Sequence, residues 1–89
     1  MTRFSKQSLY AFLDQYKKVI VKPATGSGGA GVMLVTRKAK SRYRVQRGPS
    51  QHTLRDKLET FRYLRRKITT PYLIQRGITL VFRENKVLD

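Results

Sequence analysis

Two periods of apolar residues run along the chain. Between Ser5 and Tyr16, the residues Leu9, Phe12, Leu13 and Tyr16 fall at helical spacing and line one face of a predicted helix. Ser5 suits its N-cap, since a serine hydroxyl can accept from a first-turn amide, and Phe4 stands where a hydrophobic staple would reach Leu9. Lys17-Lys18 closes this helix with charges suited to a carboxyl end. Val19 to Pro23 is β-branched and ends at proline, which predicts a strand. A glycine-rich stretch follows, and Val32 to Thr36 predicts a second strand. From Ser41 to Gln46, Tyr43 and Val45 alternate with Arg42 and Arg44, the two-residue period of a third.

Gly48-Pro49-Ser50 is a predicted turn, after which Leu54, Leu58, Phe61, Leu64 and Ile68 form the buried stripe of a second helix. That helix is predicted to start at about Ser50 or Thr53 and to end at Lys67, with Thr70-Pro71 as its breaker. Tyr72 to Gln75 and Ile78 to Phe82 predict further strands, and Glu84-Asn85-Lys86 is a hairpin-type turn before Val87 to Asp89. Short strands joined by short turns imply an α+β fold, an antiparallel sheet of about four strands with two helices packed on one face. Residues 1–89 are expected to form a single domain.

Composition narrows this picture. A chain of 89 residues buries only about 60% of the surface it exposes unfolded, which argues against an enzyme built around an interdomain cleft. With no cysteine, a disulfide framework, thiolate zinc ligands and a cysteine nucleophile are excluded, and a reducing compartment such as the cytoplasm is expected. The longest apolar run, Ala30 to Val35, is six residues, against roughly 20 for a membrane span. Met1 to Lys6 leads into no apolar region of a signal peptide, so no membrane partner is expected. His52 is the only histidine, which removes a multi-histidine metal site.

Candidate chemistry centres on Gly26-Ser27-Gly28-Gly29-Ala30-Gly31. The run matches G-x-G-x-x-G, but a strand-like segment follows it where a dinucleotide fold needs a helix, and no Gly-Lys-Ser or Gly-Lys-Thr follows as in a P-loop. What remains is a glycine loop between two strands, whose backbone amides can approach phosphate oxygens closely because no Cβ intervenes. Lys22 enters that loop and can supply a point charge to the same phosphates. The bland alternative is a glycine hairpin beside a solvated lysine.

The run Val19-Ile20-Val21-Lys22-Pro23 with Thr25-Gly26-Ser27-Gly28-Gly29-Ala30-Gly31-Val32 resembles the strand and phosphate loop of the ATP-grasp superfamily. Tyr72-Leu73-Ile74-Gln75-Arg76-Gly77-Ile78 resembles its hinge strand. With Val87-Leu88-Asp89, the ordered set is most similar to the bacterial endospore-coat-associated (YheC/YheD-like) ATP-grasp family, over about Leu9 to Asp89. The resemblance implies ATP as ligand. Lys22 would contact its α- and β-phosphates, Gly26, Ser27, Gly28 and Gly29 would cover them, and Gln75, Arg76 and Gly77 would lie beside the adenine, with Ile20 and Ile74 as apolar wall. Asp89 resembles the start of an Asp-x-Arg element. The chain would then be the N-terminal lid portion of an ATP-dependent carboxylate-amine or carboxylate-thiol ligase-like protein, with cytoplasmic or spore-coat-associated location. Its partner would be the missing C-terminal half, which in this family carries the magnesium ligands and the acceptor site. Mg2+ is expected only in the complete protein, and turnover by this chain alone is not expected. Its own acids, Asp14, Asp56, Glu59, Glu84 and Asp89, show no metal-site spacing.

Charge supplies the rival function. Of a net +15, residues 37 to 67 contribute +10, with twelve basic and two acidic residues. Arg37, Lys38, Lys40, Arg42, Arg44 and Arg47 form a basic ribbon interleaved with Tyr43, as an RNA- or DNA-binding module would present to a phosphate backbone with one ring for base stacking. His52 has no partner motif and is expected to be an exposed loop residue.

Overall fold

The computed structural model describes residues 2–24, 31–39 and 42–77. In chain order the elements are β1 (Thr2–Arg3), α1 (Lys6–Gln15), β2 (Lys18–Pro23), β3 (Met33–Arg37), β4 (Tyr43–Arg47), β5 (Ser50–Leu54), α2 (Lys57–Lys67) and β6 (Tyr72–Arg76). The described strands form one antiparallel sheet in the order β1-β6-β2-β3-β4-β5, and both helices pack on one face of it. The α+β class and the one-sided helices agree with the sequence. The sheet has six described strands where about four were expected. Gly26 to Gly29, the strand predicted at 78–82 and the turn predicted at 84–86 lie outside the described residues.

The α1 helix begins as its sequence dictates. The Ser5 hydroxyl accepts from the Ser8 amide at 3.0 Å and the Ser8 hydroxyl accepts from the Ser5 amide at 2.9 Å, a reciprocal capping box with serine in both roles. Its carboxyl end differs from expectation. The helix stops at Gln15 with no basic residue in its last turn, and Lys18 already belongs to β2. The cation at that end comes from β3 instead, where Arg37 Nη1 donates to the Leu13 carbonyl at 3.2 Å.

A second difference concerns residues 50–56. Gly48 has φ +58 and Pro49 holds φ negative, the sign pattern of a two-residue II′ hairpin turn, with Arg47 paired to Ser50. The chain therefore folds back onto β4 as a strand, and α2 starts only at Lys57, where the Asp56 carboxylate accepts from the Glu59 amide at 2.8 Å. Leu54 reaches the core from β5, and Leu58 is exposed rather than part of the helical stripe. His52 is exposed but sits on β5, not a loop, and its ring stacks on Tyr63 at 4.6 Å between centroids.

The core lies between sheet and helices. Val19 and Val21 of β2, Met33 and Val35 of β3, Tyr43 and Val45 of β4, and Tyr72 and Ile74 of β6 meet Leu9, Leu13 and Leu64 there. Each fully buried aliphatic side chain contributes about 1.5–3 kcal/mol of transfer free energy. Between the two helices, Phe4 stacks on Phe61 at 5.7 Å and Lys57 Nζ donates to Asp14 at 2.6 Å. No described helix is long and apolar enough to cross a membrane.

Candidate functional site

Strand alternation divides the sheet's side chains into two sets. Because Val19 and Val21 face the helices, Lys18, Ile20 and Lys22 face the other way. The register carries that opposite face across the sheet: Ile20 pairs with Gln75 and with Leu34, Leu34 with Gln46, and Gln46 with Gln51. One row nearer the glycine loop, Lys22 pairs with Leu73. One row the other way come Lys18, Thr36, Arg44 and Thr53. The result is a helix-free face with Ile20, Leu34 and Leu73 as an apolar centre, Lys22 at the loop end and Gln75 beside it. Lys22 and Gln75 are diagonal neighbours on adjacent strands, about 7–8 Å apart. The ion pairs among the described residues are Arg55 with Glu59 and Lys57 with Asp14, so no described carboxylate holds the Lys22 ammonium.

Both feet of the glycine loop are fastened to the start of β6. On the entering side, the Ala24 amide donates to the Pro71 carbonyl at 2.9 Å. On the leaving side, the Tyr72 hydroxyl donates to the Gly31 carbonyl at 3.0 Å. Gly31 has φ +80, and a Cβ there would lie 2.8 Å from the Tyr72 hydroxyl and 3.2 Å from Pro23 Cγ. Gly26, Ser27, Gly28 and Gly29 lie outside the described residues.

The three residues expected as a hinge, Gln75, Arg76 and Gly77, differ in placement. The Gly77 amide donates to the Lys18 carbonyl at 2.9 Å, and a Cβ at Gly77 would meet Lys18 Cβ at 2.9 Å, so glycine allows β6 to close against β2 there. Counting back from that bond, the antiparallel alternation gives Gln75 and Leu73 backbone bonds to β2 and turns both backbone groups of Arg76 to the other edge. β1 pairs with β6 only at Leu73 and Ile74 among the described residues, so it stops short of Arg76. The Arg76 side chain leaves the open face altogether, its guanidinium lying 5.2 Å from the centroid of the Tyr16 ring on the helix side.

Two residues named from sequence face the wrong way. Ile74 is fully buried under the helices, so it cannot wall the open face, and Leu73 does so instead. Tyr43 is also buried, at 2% exposure, so no ring on the basic ribbon is available for base stacking, and burial pushes its phenol above the ordinary 10.0. The ribbon is split as well: Arg44 faces the open side, where it donates to Gln51 at 3.4 Å, while Arg37 reaches the end of α1. Sequence alone missed Leu34 and Leu73 because β3 and β6 are apolar on both faces, and the pairing with β2 sets their phase.

Among the described residues no three His, Asp or Glu side chains cluster as a metal site requires, so no magnesium ligand is assigned to them. The open face combines an apolar centre with an ammonium that no described carboxylate holds. Of the comparisons with known proteins, one finds a match: the family model described as YheC/D like ATP-grasp covers residues 1–89. No curated protein and no solved structure matches the chain.

Proposed function

The chain belongs to the YheC/D-like ATP-grasp family, and from that premise we propose that the helix-free face of its sheet is the nucleotide face of a lid closing over ATP. Membership gives the chain a nucleotide-binding, ligase-like kind of function, with ATP and Mg2+ used by the full protein. The observation that carries the finer reading is the shared face of Lys22, Ile20, Leu34, Leu73 and Gln75 beside the anchored feet of the glycine loop.

Each residue then has a part. Lys22 meets the α- and β-phosphates, as a compact ammonium suits. Ile20, Leu34 and Leu73 carry the base. The backbone groups of Arg76 read the base edge, since those of Gln75 pair with β2. Gln75 hydrogen-bonds to the sugar or base from the face, and Gly77 acts by letting the strands close. Gly26, Ser27, Gly28 and Gly29 cover the phosphates. A C-terminal half supplies the opposing wall, the magnesium ligands and the acceptor site for acid-amine or acid-thiol ligation.

Equilibrium binding of a fluorescent ATP analogue tests the reading. Lys22→Ala is expected to weaken binding about tenfold, the loss of one charge-assisted contact. An affinity equal to the parent's, in a variant that keeps the parent's circular dichroism, would remove Lys22 from the site.

A further inference from the structure

The groove between β5 and α2 lies away from the nucleotide face and has a chemistry that the lid role leaves unused. It is an open groove of about 550 Å³ lined by three arginines, Arg55, Arg62 and Arg66, against a single acid, Glu59. Glu59 is already engaged: its carboxylate accepts from the Arg55 amide at 2.8 Å and lies 3.9 Å from the Arg55 guanidinium. Arg62 and Arg66 are one helical turn apart on α2, and neither forms an ion pair with a described carboxylate.

The other wall of the groove is a sheet edge. Among the described residues β5 pairs with β4 alone. The two-residue turn makes Arg47 and Ser50 the closing hydrogen-bonded pair, so the alternation points the backbone groups of His52 and Leu54 at β4. The amides and carbonyls of Gln51 and Thr53 point outward. Natural edge strands are commonly guarded by charge, proline or a bulge. β5 reads Ser-Gln-His-Thr-Leu, with no Lys, Arg, Asp, Glu or Pro, and it pairs with β4 residue for residue.

We propose that this edge takes an extended acidic segment of a partner protein as an added strand. Its backbone pairs with Gln51 and Thr53, and its alternate carboxylate side chains reach Arg62 and Arg66 across the groove. An edge strand flanked by a helix is the geometry of strand addition, in which main-chain bonds hold the peptide and side-chain pockets select it. Guanidinium groups favour carboxylates through paired hydrogen bonds. A single-stranded nucleic acid fits less well. The aromatic pair at the groove is self-stacked, His52 on Tyr63 with 7° between the rings, and Lys67 lies 5.2 Å from the Tyr63 ring centroid. Nor would a nucleic acid use the outward backbone groups.

The test uses the 89-residue chain and a labelled peptide of alternating Glu and Val, about eight residues long. Saturable binding is expected, with slowed hydrogen exchange at the Gln51 and Thr53 amides. Arg62→Ala with Arg66→Ala should weaken it about tenfold or more. Thr53→Pro deletes an outward amide that β4 does not use, a placement edge strands tolerate, and should reduce binding at least as much; Gln51→Pro repeats the test independently. Failure of the peptide to bind would overturn the proposal. So would binding that both proline variants leave intact, or a preference for a single-stranded RNA oligonucleotide that both variants also leave intact.

Discussion

At the residue scale, Gly31 shows how one position holds the candidate site. Its φ of +80 and the 2.8 Å approach of the Tyr72 hydroxyl make two separate demands on a side chain. Gly31→Ala is therefore expected to lower unfolding free energy by about 1–3 kcal/mol in urea denaturation. Tyr72→Phe alone should cost about 1 kcal/mol, the worth of its bond to the Gly31 carbonyl. Combined, the two should cost less than their sum, because removing the hydroxyl makes room for the new methyl. Strict additivity would mean that the close contact is not there. The glycine run in the sequence announced a permissive backbone. That a Cβ at Gly31 finds no room depends on Tyr72 and Pro23, which arrive from another strand and from across the loop. The place of Lys22 at the loop end of β2 was legible because it is the one charged residue of the run Val19 to Pro23. The exchange of Ile74 for Leu73 was not, since Tyr72-Leu73-Ile74 is apolar at every position and offers no alternation to read.

At the element scale, the boundary between β5 and α2 carries the lesson. Ser50, Gln51, His52 and Thr53 are polar and exposed, with no apolar alternation to read, and only Leu54 of β5 reaches the core. The stripe Leu54, Leu58, Phe61, Leu64 and Ile68 has continuous helical spacing, although Leu54 belongs to β5 and Leu58 is exposed. The Gly-Pro turn was the available signal, since it fits a two-residue hairpin as readily as a helix start. Capping separates the alternatives. Asp56→Ala is expected to destabilise the protein by about 1 kcal/mol, whereas Ser50→Ala and Thr53→Ala should each stay within about 0.5 kcal/mol. A larger loss at Ser50 or Thr53 than at Asp56 would return the helix start to the earlier position. The α1 helix was legible almost to the residue because Ser5 and the Leu9, Leu13 pair point to the same start and face.

At the scale of the whole molecule, the surplus of +15 is arranged rather than spread. Among the described residues, Arg37 reaches the end of α1, Arg44 lies on the open face and Arg55, Arg62 and Arg66 line the β5/α2 groove, so Arg37 and Arg44 do not share the one ribbon that their linear order suggested. Alkaline pH gives a global test of the packing between those surfaces. Burial holds the Tyr43 phenol above 10.0, and the hydrogen bond to Asp14 holds the Lys57 ammonium above 10.5. Both groups keep their protons more tightly when folded, so their stabilising contribution is whole below those ordinary values and is lost as pH rises through the folded ones. Relative to Tyr43→Phe, the parent chain is thus expected to lose stability above about pH 10 and not below about pH 9. A difference between the two that stays constant to about pH 11 would show the phenol to be solvated.

The central claim, that the helix-free face is the nucleotide face, is tested most directly by methyl NMR of the labelled chain during titration with Mg-ATP. The methyl signals of Ile20, Leu34 and Leu73 should shift together with the Arg76 amide, while those of Val19, Val21 and Val35, on the covered side of the same strands, move far less. Lys22→Ala should diminish the whole set of shifts. Perturbations confined to the Arg62 and Arg66 groove, or methyl signals on the open face that stay fixed while ATP binds, would contradict the assignment.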